Sequence, residues 1–99
     1  MKKHRKPEVR KIKTEVLQIG EVGVDSGQLF IGDPCYLKEV SMDDLYTECS
    51  KVTLSKQRGG VISLTDGVAV STGFGDGVYP VFAEICNGRV VKVWIEFIT

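Results

Sequence analysis

Two segments of the chain concentrate glycine together with aromatic and carboxylate side chains. One is Thr72-Gly73-Phe74-Gly75-Asp76-Gly77-Val78-Tyr79-Pro80, and the other extends from Asp25-Ser26-Gly27 to Gly32-Asp33-Pro34-Cys35-Tyr36. Glycine allows positive φ and close approach to the main chain, and a glycine-rich loop exposes N–H groups that suit an anion or the polar edge of a ligand. We therefore predict that the two segments form opposite walls of one binding site. The alternative is that both are only tight turns of a small β-protein.

The predicted site combines main-chain donors with side chains that recognise the rest of a nucleotide. Backbone N–H groups of residues 73–77 would hold phosphate, aromatic rings would contact a base or ribose, and a carboxylate would accept from ribose hydroxyls. The alternative roles are ordinary ones, in which the aromatic rings belong to the core and Cys35 is a small buried hydrophobe. The predicted ligand-binding residues are Asp33, Cys35, Tyr36, Gly73, Phe74, Gly75, Asp76, Gly77 and Tyr79.

Catalysis has few candidate residues in this sequence. The only histidine is His4, close to the N-terminus, whereas Ser–His–Asp and Cys–His catalysis need an imidazole held beside the nucleophile. Asp33 and Asp76 could instead hold Mg²⁺ or Ca²⁺, or share acid and base roles in hydrolysis; alternatively they cap turns. Without a Cys-x₂-Cys pair, a phosphate-loop lysine or a dinucleotide fingerprint, we predict neither a metal nor a cofactor. The sequence does not decide whether the protein is an enzyme, and it favours a protein without catalytic activity.

Charge is distributed unevenly along the 99 residues, although the formal net charge is zero. Residues 1–13 contain seven basic residues and one acidic residue, and residues 14–99 contain six basic and twelve acidic residues. We interpret residues 1–13 as a flexible basic arm and residues 14–99 as a single domain. A nucleic-acid partner is disfavoured because the domain lacks a basic stripe with interleaved aromatics. Three widely spaced cysteines and the lack of a long apolar run predict a cytoplasmic protein without a membrane span.

Local patterns predict a mostly β, β-rich α+β fold, which we expect to be a compact antiparallel barrel or sandwich with one short helix near residues 41–51. Ser41 is the expected N-cap of that helix, with Asp44 in the capping-box position. The predicted strands cover residues 14–24 (with a bend near Gly20), 28–31, 52–54, 61–64, 68–72, 78–86 and 89–98.

Asn87-Gly88 between two β-rich runs predicts a hairpin with a type I′ turn. An uninterrupted hairpin would pair Cys86 with Arg89, Glu84 with Val91 and Phe82 with Val93 on one face, and Ile85 with Val90, Ala83 with Lys92 and Val81 with Trp94 on the other. Both faces would then carry large apolar groups, and we expect both to be buried. In a chain this short, a wrapped sheet, the helix or another subunit would cover the second face, and we expect a homo-oligomer.

The paired motifs resemble a domain family of bacterial and phage proteins. The matching residues are Gly23-Val24-Asp25-Ser26-Gly27-Gln28-Leu29, Gly32-Asp33-Pro34-Cys35-Tyr36 and Thr72-Gly73-Phe74-Gly75-Asp76-Gly77-Val78-Tyr79-Pro80-Val81, so the resemblance covers roughly residues 20 to 97. It implies a small cytoplasmic protein, often encoded by phages, and assigns no catalytic residue.

These observations favour a non-enzymatic binder of a nucleotide-like small molecule. By analogy of size and loop chemistry, the protein is similar to phage sponges that sequester cyclic-nucleotide or ADP-ribose-like immune signals in an infected host. Two other functions stay open: a metal-assisted phosphodiesterase that uses Asp33 and Asp76, and an interaction module that inhibits a host protein.

Overall fold

The computed structural model describes residues 13–98, which form parts of two compact units. One unit contains Gly23–Tyr79 and residues 97–98, and the other contains residues 13–22 and Pro80–Glu96. All of the predicted arm except Lys13 lies outside the described residues. The prediction of a single domain over residues 14–99 stays a prediction.

Six strands and one α-helix make up the described chain, which confirms the mostly β class with one helix. The elements are β1 (Thr14–Val24), β2 (Gln28–Ile31), a 3₁₀ turn (Pro34–Leu37), α1 (Met42–Thr53), β3 (Gly59–Ile62), β4 (Gly67–Ser71), β5 (Gly77–Cys86) and β6 (Arg89–Ile95). The strands form two antiparallel sheets with orders β1-β5-β6 and β2-β4-β3, and neither sheet of residues 13–98 closes into a barrel. No helix in this part of the chain is long and apolar enough to cross a membrane.

Helix α1 packs against the β2-β4-β3 sheet and completes the core of the larger unit. The central buried cluster is Leu45, Cys49, Ile62 and Ala69. Gly67 lies so close to β2 that an added Cβ would be 2.6 Å from the carbonyl oxygen of Ile31. Glycine at this position therefore allows the strands and the Phe30 ring to pack tightly.

The helix begins as predicted and ends later than predicted. The Ser41 hydroxyl accepts a hydrogen bond from the Asp44 N–H at 3.2 Å, which confirms the N-cap. The prediction that the helix ends by Lys51 and that a strand covers residues 52–54 is wrong. Val52 packs against the core, and the buried Thr53 donates its hydroxyl to the Gln28 side chain, so tertiary contacts extend the helix to Thr53.

The first hairpin occupies residues 59–71 and is displaced from the predicted ranges. The strand that was predicted over residues 61–64 is observed at Gly59–Ile62, and the strand that was predicted over residues 68–72 is observed at Gly67–Ser71. The carboxylate of Glu48 accepts from the N–H groups of Ser63 and Leu64 at 2.8 and 3.2 Å. These bonds occupy the donors that a longer strand would use, and β3 therefore ends at Ile62.

The second hairpin has the predicted turn and an unpredicted register. Asn87 and Gly88 have φ values of 52° and 80°, as a type I′ turn requires. The predicted pairs Cys86–Arg89 and Ile85–Val90 are confirmed. The pairs predicted beyond them are wrong, because a β-bulge inserts one extra residue of β6. The observed pairs are Glu84–Lys92, Ala83–Val93, Phe82–Trp94 and Val81–Ile95.

Because of the bulge, one side of the hairpin carries only apolar side chains. Alternation along each strand and the observed pairs assign seven apolar residues to one side, here called the β5–β6 apolar face: Val81, Ala83, Ile85, Val90, Val91, Val93 and Ile95. The opposite side carries the stacked rings of Phe82 and Trp94, with centroids 5.5 Å apart, and Lys92, whose Nζ lies 4.0 Å from a Glu84 oxygen.

Neither hairpin face is buried by the described part of the chain, so burial of both faces stays a prediction that would need another subunit. Val90, Val91 and Val93 are 60%, 59% and 54% exposed, and Ala83 alone among the residues of β6 and Pro80–Cys86 is buried.

Candidate functional site

The glycine loop at residues 72–77 is held by its own hydrogen bonds. Gly75 donates its N–H to the Thr72 carbonyl at 2.8 Å, and its own carbonyl accepts from the hydroxyls of Thr72 and Tyr79 at 2.7 and 2.8 Å. The φ of +84° at Gly75 favours glycine. The loop is therefore a defined turn whose centre is fixed by a buried threonine and a buried tyrosine.

The loop is bonded to the turn at residues 25–27. Gly27 donates its N–H to the Asp76 carboxylate at 2.8 Å and accepts from the Thr72 N–H at 3.0 Å. Parts of the two motif-bearing segments thus lie side by side. The carboxylate of Asp76 already has a main-chain donor, and it adds negative charge where phosphate was expected.

Residues 33–36 form a capped turn of their own. The Asp33 side chain accepts from the Cys35 N–H at 2.9 Å, and its carbonyl accepts from the Tyr36 N–H at 3.0 Å. Cys35 is exposed and Tyr36 is 51% exposed. Asp33 therefore has the turn-capping role that was the alternative to a ligand role.

The predicted aromatic contacts differ in accessibility. Phe74 is 66% exposed at the tip of the loop, whereas Tyr79 is fully buried and packs edge-to-face on Phe97. Tyr79 has no surface to offer a ligand in this conformation. A Cβ added at Gly73 would have no heavy atom within 4 Å, so this side of the loop is open. A Cβ added at Gly77 would lie 3.3 Å from the Tyr79 ring.

The two candidate catalytic carboxylates are used separately. Asp33 bonds within its own turn and Asp76 bonds to Gly27. Within residues 13–98, no three His, Cys, Asp or Glu side chains converge as metal ligands would.

A concave site that sequence reasoning missed lies between α1 and β2, and is here called the α1–β2 cleft. Its volume is about 320 Å³, which is within the range of small-molecule sites. The floor is apolar, with Leu45 and Cys49 buried, and Met42 and Tyr46 stand at the edge with more than half of their surface exposed. The full lining is Ser26, Gln28, Phe30, Met42, Leu45, Tyr46 and Cys49.

One polar group in the cleft is held in a fixed orientation. The carboxamide oxygen of Gln28 accepts from the Thr53 hydroxyl at 2.8 Å, and its nitrogen donates to the Ser50 hydroxyl at 3.3 Å. A carboxamide has two N–H donors, and the bond to Ser50 uses one of those of Gln28. A single oriented amide in an apolar cleft is a typical means of fixing the pose of a small molecule.

The thiol in the floor is a weak nucleophile. Burial, and then the neighbouring Glu48 carboxylate, raise the pKa of the Cys49 thiol, so the thiolate is scarce near neutral pH. The lining residues include no carboxylate or imidazole. The cleft thus offers mainly apolar contacts, with the polar groups of Ser26 and Gln28.

The sequence contained one signal for this cleft. Met42, Leu45, Tyr46 and Cys49 have the i, i+3, i+4, i+7 spacing of one helix face, and Ser26 belongs to the Asp25-Ser26-Gly27 motif. The fixation of Gln28 had no local signal, because its partners lie 22 and 25 residues away.

Comparisons with known proteins identify no relatives for this chain. A scan against models of protein families, a search of curated proteins and a search of solved structures each returned no match.

Proposed function

We propose that this protein binds a small molecule with a flat ring in the α1–β2 cleft and releases it unchanged. The orientation of the Gln28 carboxamide in an apolar cleft carries the proposal. The ring would contact Phe30 and Tyr46, and one ring heteroatom would accept a hydrogen bond from the second N–H of Gln28.

A nucleotide-derived ligand is the specific form of this proposal. Ser26 lines the cleft, and Gly27 next to it is bonded to Asp76 of the glycine loop. A base in the cleft would therefore direct its sugar past Ser26 toward the loop, where Asp76 would accept from a ribose hydroxyl. The open side of Gly73 leaves room for a phosphate.

Sequestration of a cyclic-nucleotide or ADP-ribose-like signal in the cytoplasm, as by a phage sponge, is the biological role that we infer by analogy of size and loop chemistry. Of the two other functions, a phosphodiesterase would use Asp33 and Asp76, each of which already accepts one main-chain hydrogen bond, and a host-inhibiting interaction module would not use the cleft.

Thermal unfolding with a panel of cyclic mononucleotides, cyclic dinucleotides and ADP-ribose tests the proposal. A ligand present at 100 times its Kd should stabilise the protein by about 2.7 kcal/mol. Denaturing the complex and analysing the ligand distinguishes a binder, which returns it intact, from a phosphodiesterase, which returns products. A panel that produces no shift with any member contradicts the nucleotide form of the proposal.

Two tyrosines provide a matched pair for locating the ligand. Tyr46 is 58% exposed at the cleft edge, and Tyr36 is 51% exposed in the capped turn. Because both are largely exposed, neither Tyr46→Ala nor Tyr36→Ala should unfold the protein. We expect Tyr46→Ala to weaken binding at least tenfold and Tyr36→Ala to leave it unchanged. The reverse result would place the ligand at the motif site predicted from sequence.

A further inference from the structure

We propose that the β5–β6 apolar face is a self-association surface that pairs with the same face of a second copy of this chain. The proposal is independent of ligand binding, because this face and the α1–β2 cleft share no residue. The surface exists because of the bulge in β6, which brings both Val90 and Val91 to the side that carries Val93.

Exposure of the three β6 valines of this face is the first observation that supports a partner. Val90, Val91 and Val93 each leave more than half of their surface in contact with solvent. A three-stranded sheet normally needs one face packed against another layer to be stable. Among the described residues, these three valines have no such layer.

The composition of the face indicates which kind of partner surface fits it. The seven side chains that β5 and β6 contribute are all apolar, so these two strands place no carboxylate or hydrogen-bonding side chain on this side of the sheet. A twofold interface places one surface patch against itself, and an uncharged apolar patch is complementary to its own copy. Two such sheets, packed about 10 Å apart, would enclose a core between them.

The basic arm is a poorer match to this surface. Residues 1–12 contain six lysines and arginines, and only three of the twelve residues, Met1, Val9 and Ile12, have large apolar side chains. Covering the face with the arm would bring charged side chains against an uncharged apolar surface, and removing charges from water is unfavourable.

The size of the face determines how strong the association can be. Seven residues of β6 at about 3.3 Å each, and two strands each about 4.8 Å wide, give roughly 220 Å² in plan. Stable complexes bury about 800 Å² per partner. We therefore expect a reversible dimer whose population rises with protein concentration.

The experiment is analytical ultracentrifugation of the full chain over a concentration series, with two lysine variants. Val93→Lys places a charge in the apolar face, and Val61→Lys places the same charge at a valine of the other sheet that is 68% exposed. We expect the wild type and Val61→Lys to move from monomer to dimer mass with rising concentration, and Val93→Lys to stay monomeric. Circular dichroism checks that both variants are folded. If Val93→Lys unfolds, Val93→Thr replaces it, because threonine has nearly the shape of valine and adds a hydroxyl to the face.

Three results would overturn the proposal. The first is a wild type that stays monomeric at every concentration. The second is dissociation by Val61→Lys, alone or together with Val93→Lys, since the association would then not be specific to this face. The third is dimerisation only after deletion of residues 1–12, which would identify the arm as the occupant of the face.

Discussion

The two sheets of this protein have the same number of strands and opposite degrees of burial. In the β2-β4-β3 sheet, Ile62 and Ala69 are 0% and 1% exposed beneath α1. In the β1-β5-β6 sheet, valines of β6 with equally strong β propensity remain more than half exposed. The comparison shows that β propensity and apolar content specify a strand, whereas burial depends on whether another element covers that strand.

The strongest test of this comparison is truncation of one aliphatic residue in each sheet. Ile62→Ala should destabilise the protein by about 2–5 kcal/mol, because it leaves a cavity in a packed core. Val93→Ala should change the free energy of unfolding by no more than about 0.5 kcal/mol in the monomer, as exposed sites usually do. Urea denaturation at low protein concentration measures both values. Equal losses would mean that the two sheets are equally buried in solution.

Truncation of Trp94 tests how much the other face of the β5–β6 hairpin contributes to stability. Truncating a fully buried Trp side chain typically costs about 3–5 kcal/mol, but the indole of Trp94 is only half-buried. We expect Trp94→Ala to cost roughly 1–2 kcal/mol, of which stacking on Phe82 supplies about 0.5–1.5 kcal/mol. A double-mutant cycle with Phe82→Ala isolates that stacking energy. A coupling near zero would show that the rings do not stack in solution.

A smaller effect should follow from loss of the Asp76 carboxylate. Asp76→Ala removes the acceptor of the Gly27 N–H and should cost about 1 kcal/mol, since the bond lies at an exposed site. Phe74→Ala, in the same loop and 66% exposed, is the matched control and should be close to neutral. Hydrogen exchange at the Gly27 amide should quicken in Asp76→Ala and not in the control.

The smallest effect is a pH dependence confined to the larger unit. Hydrogen bonds from the Ser63 N–H and hydroxyl, then from the Leu64 N–H, hold the pKa of Glu48 below its ordinary value of 4.5. The unfolded chain therefore takes up the proton more readily, so this contribution is full above pH 4.5 and is lost as the pH falls through the lower, folded-state pKa. Glu48→Gln should reduce the acid-induced fall in the denaturation midpoint. An unchanged acid profile would show that these bonds do not form in solution.

Much of the fold was predictable where the signal is local. The Asn87-Gly88 turn, the Ser41 cap and the strands at Thr14–Val24 and Gln28–Ile31 each follow from residues within a few positions. The helix end was wrong because Thr53 bonds to a side chain 25 residues earlier.

The candidate site was less predictable than the fold. Gly27 and Asp76 are hydrogen-bonded, while the arrangement of the two segments as opposite walls of one site and the ligand roles of the motif residues stay predictions. The α1–β2 cleft went unrecognised because its polar group comes from a strand while its partners come from a helix. Such a juxtaposition is set by tertiary packing, which no single stretch of sequence records.

The bulge in β6 makes a single codon of this strand expendable for strand pairing. Deleting either Val90 or Val91 leaves the same protein sequence, and the shortened hairpin would lack the extra residue. The strand could then pair with β5 without interruption and in the pairs already observed, with Lys92 opposite Glu84 and Val93 opposite Ala83. A deletion of three nucleotides would thereby remove one valine from the β5–β6 apolar face and leave the rest of that face apolar. Natural variants that differ in length at this valine pair should therefore differ in their tendency to associate.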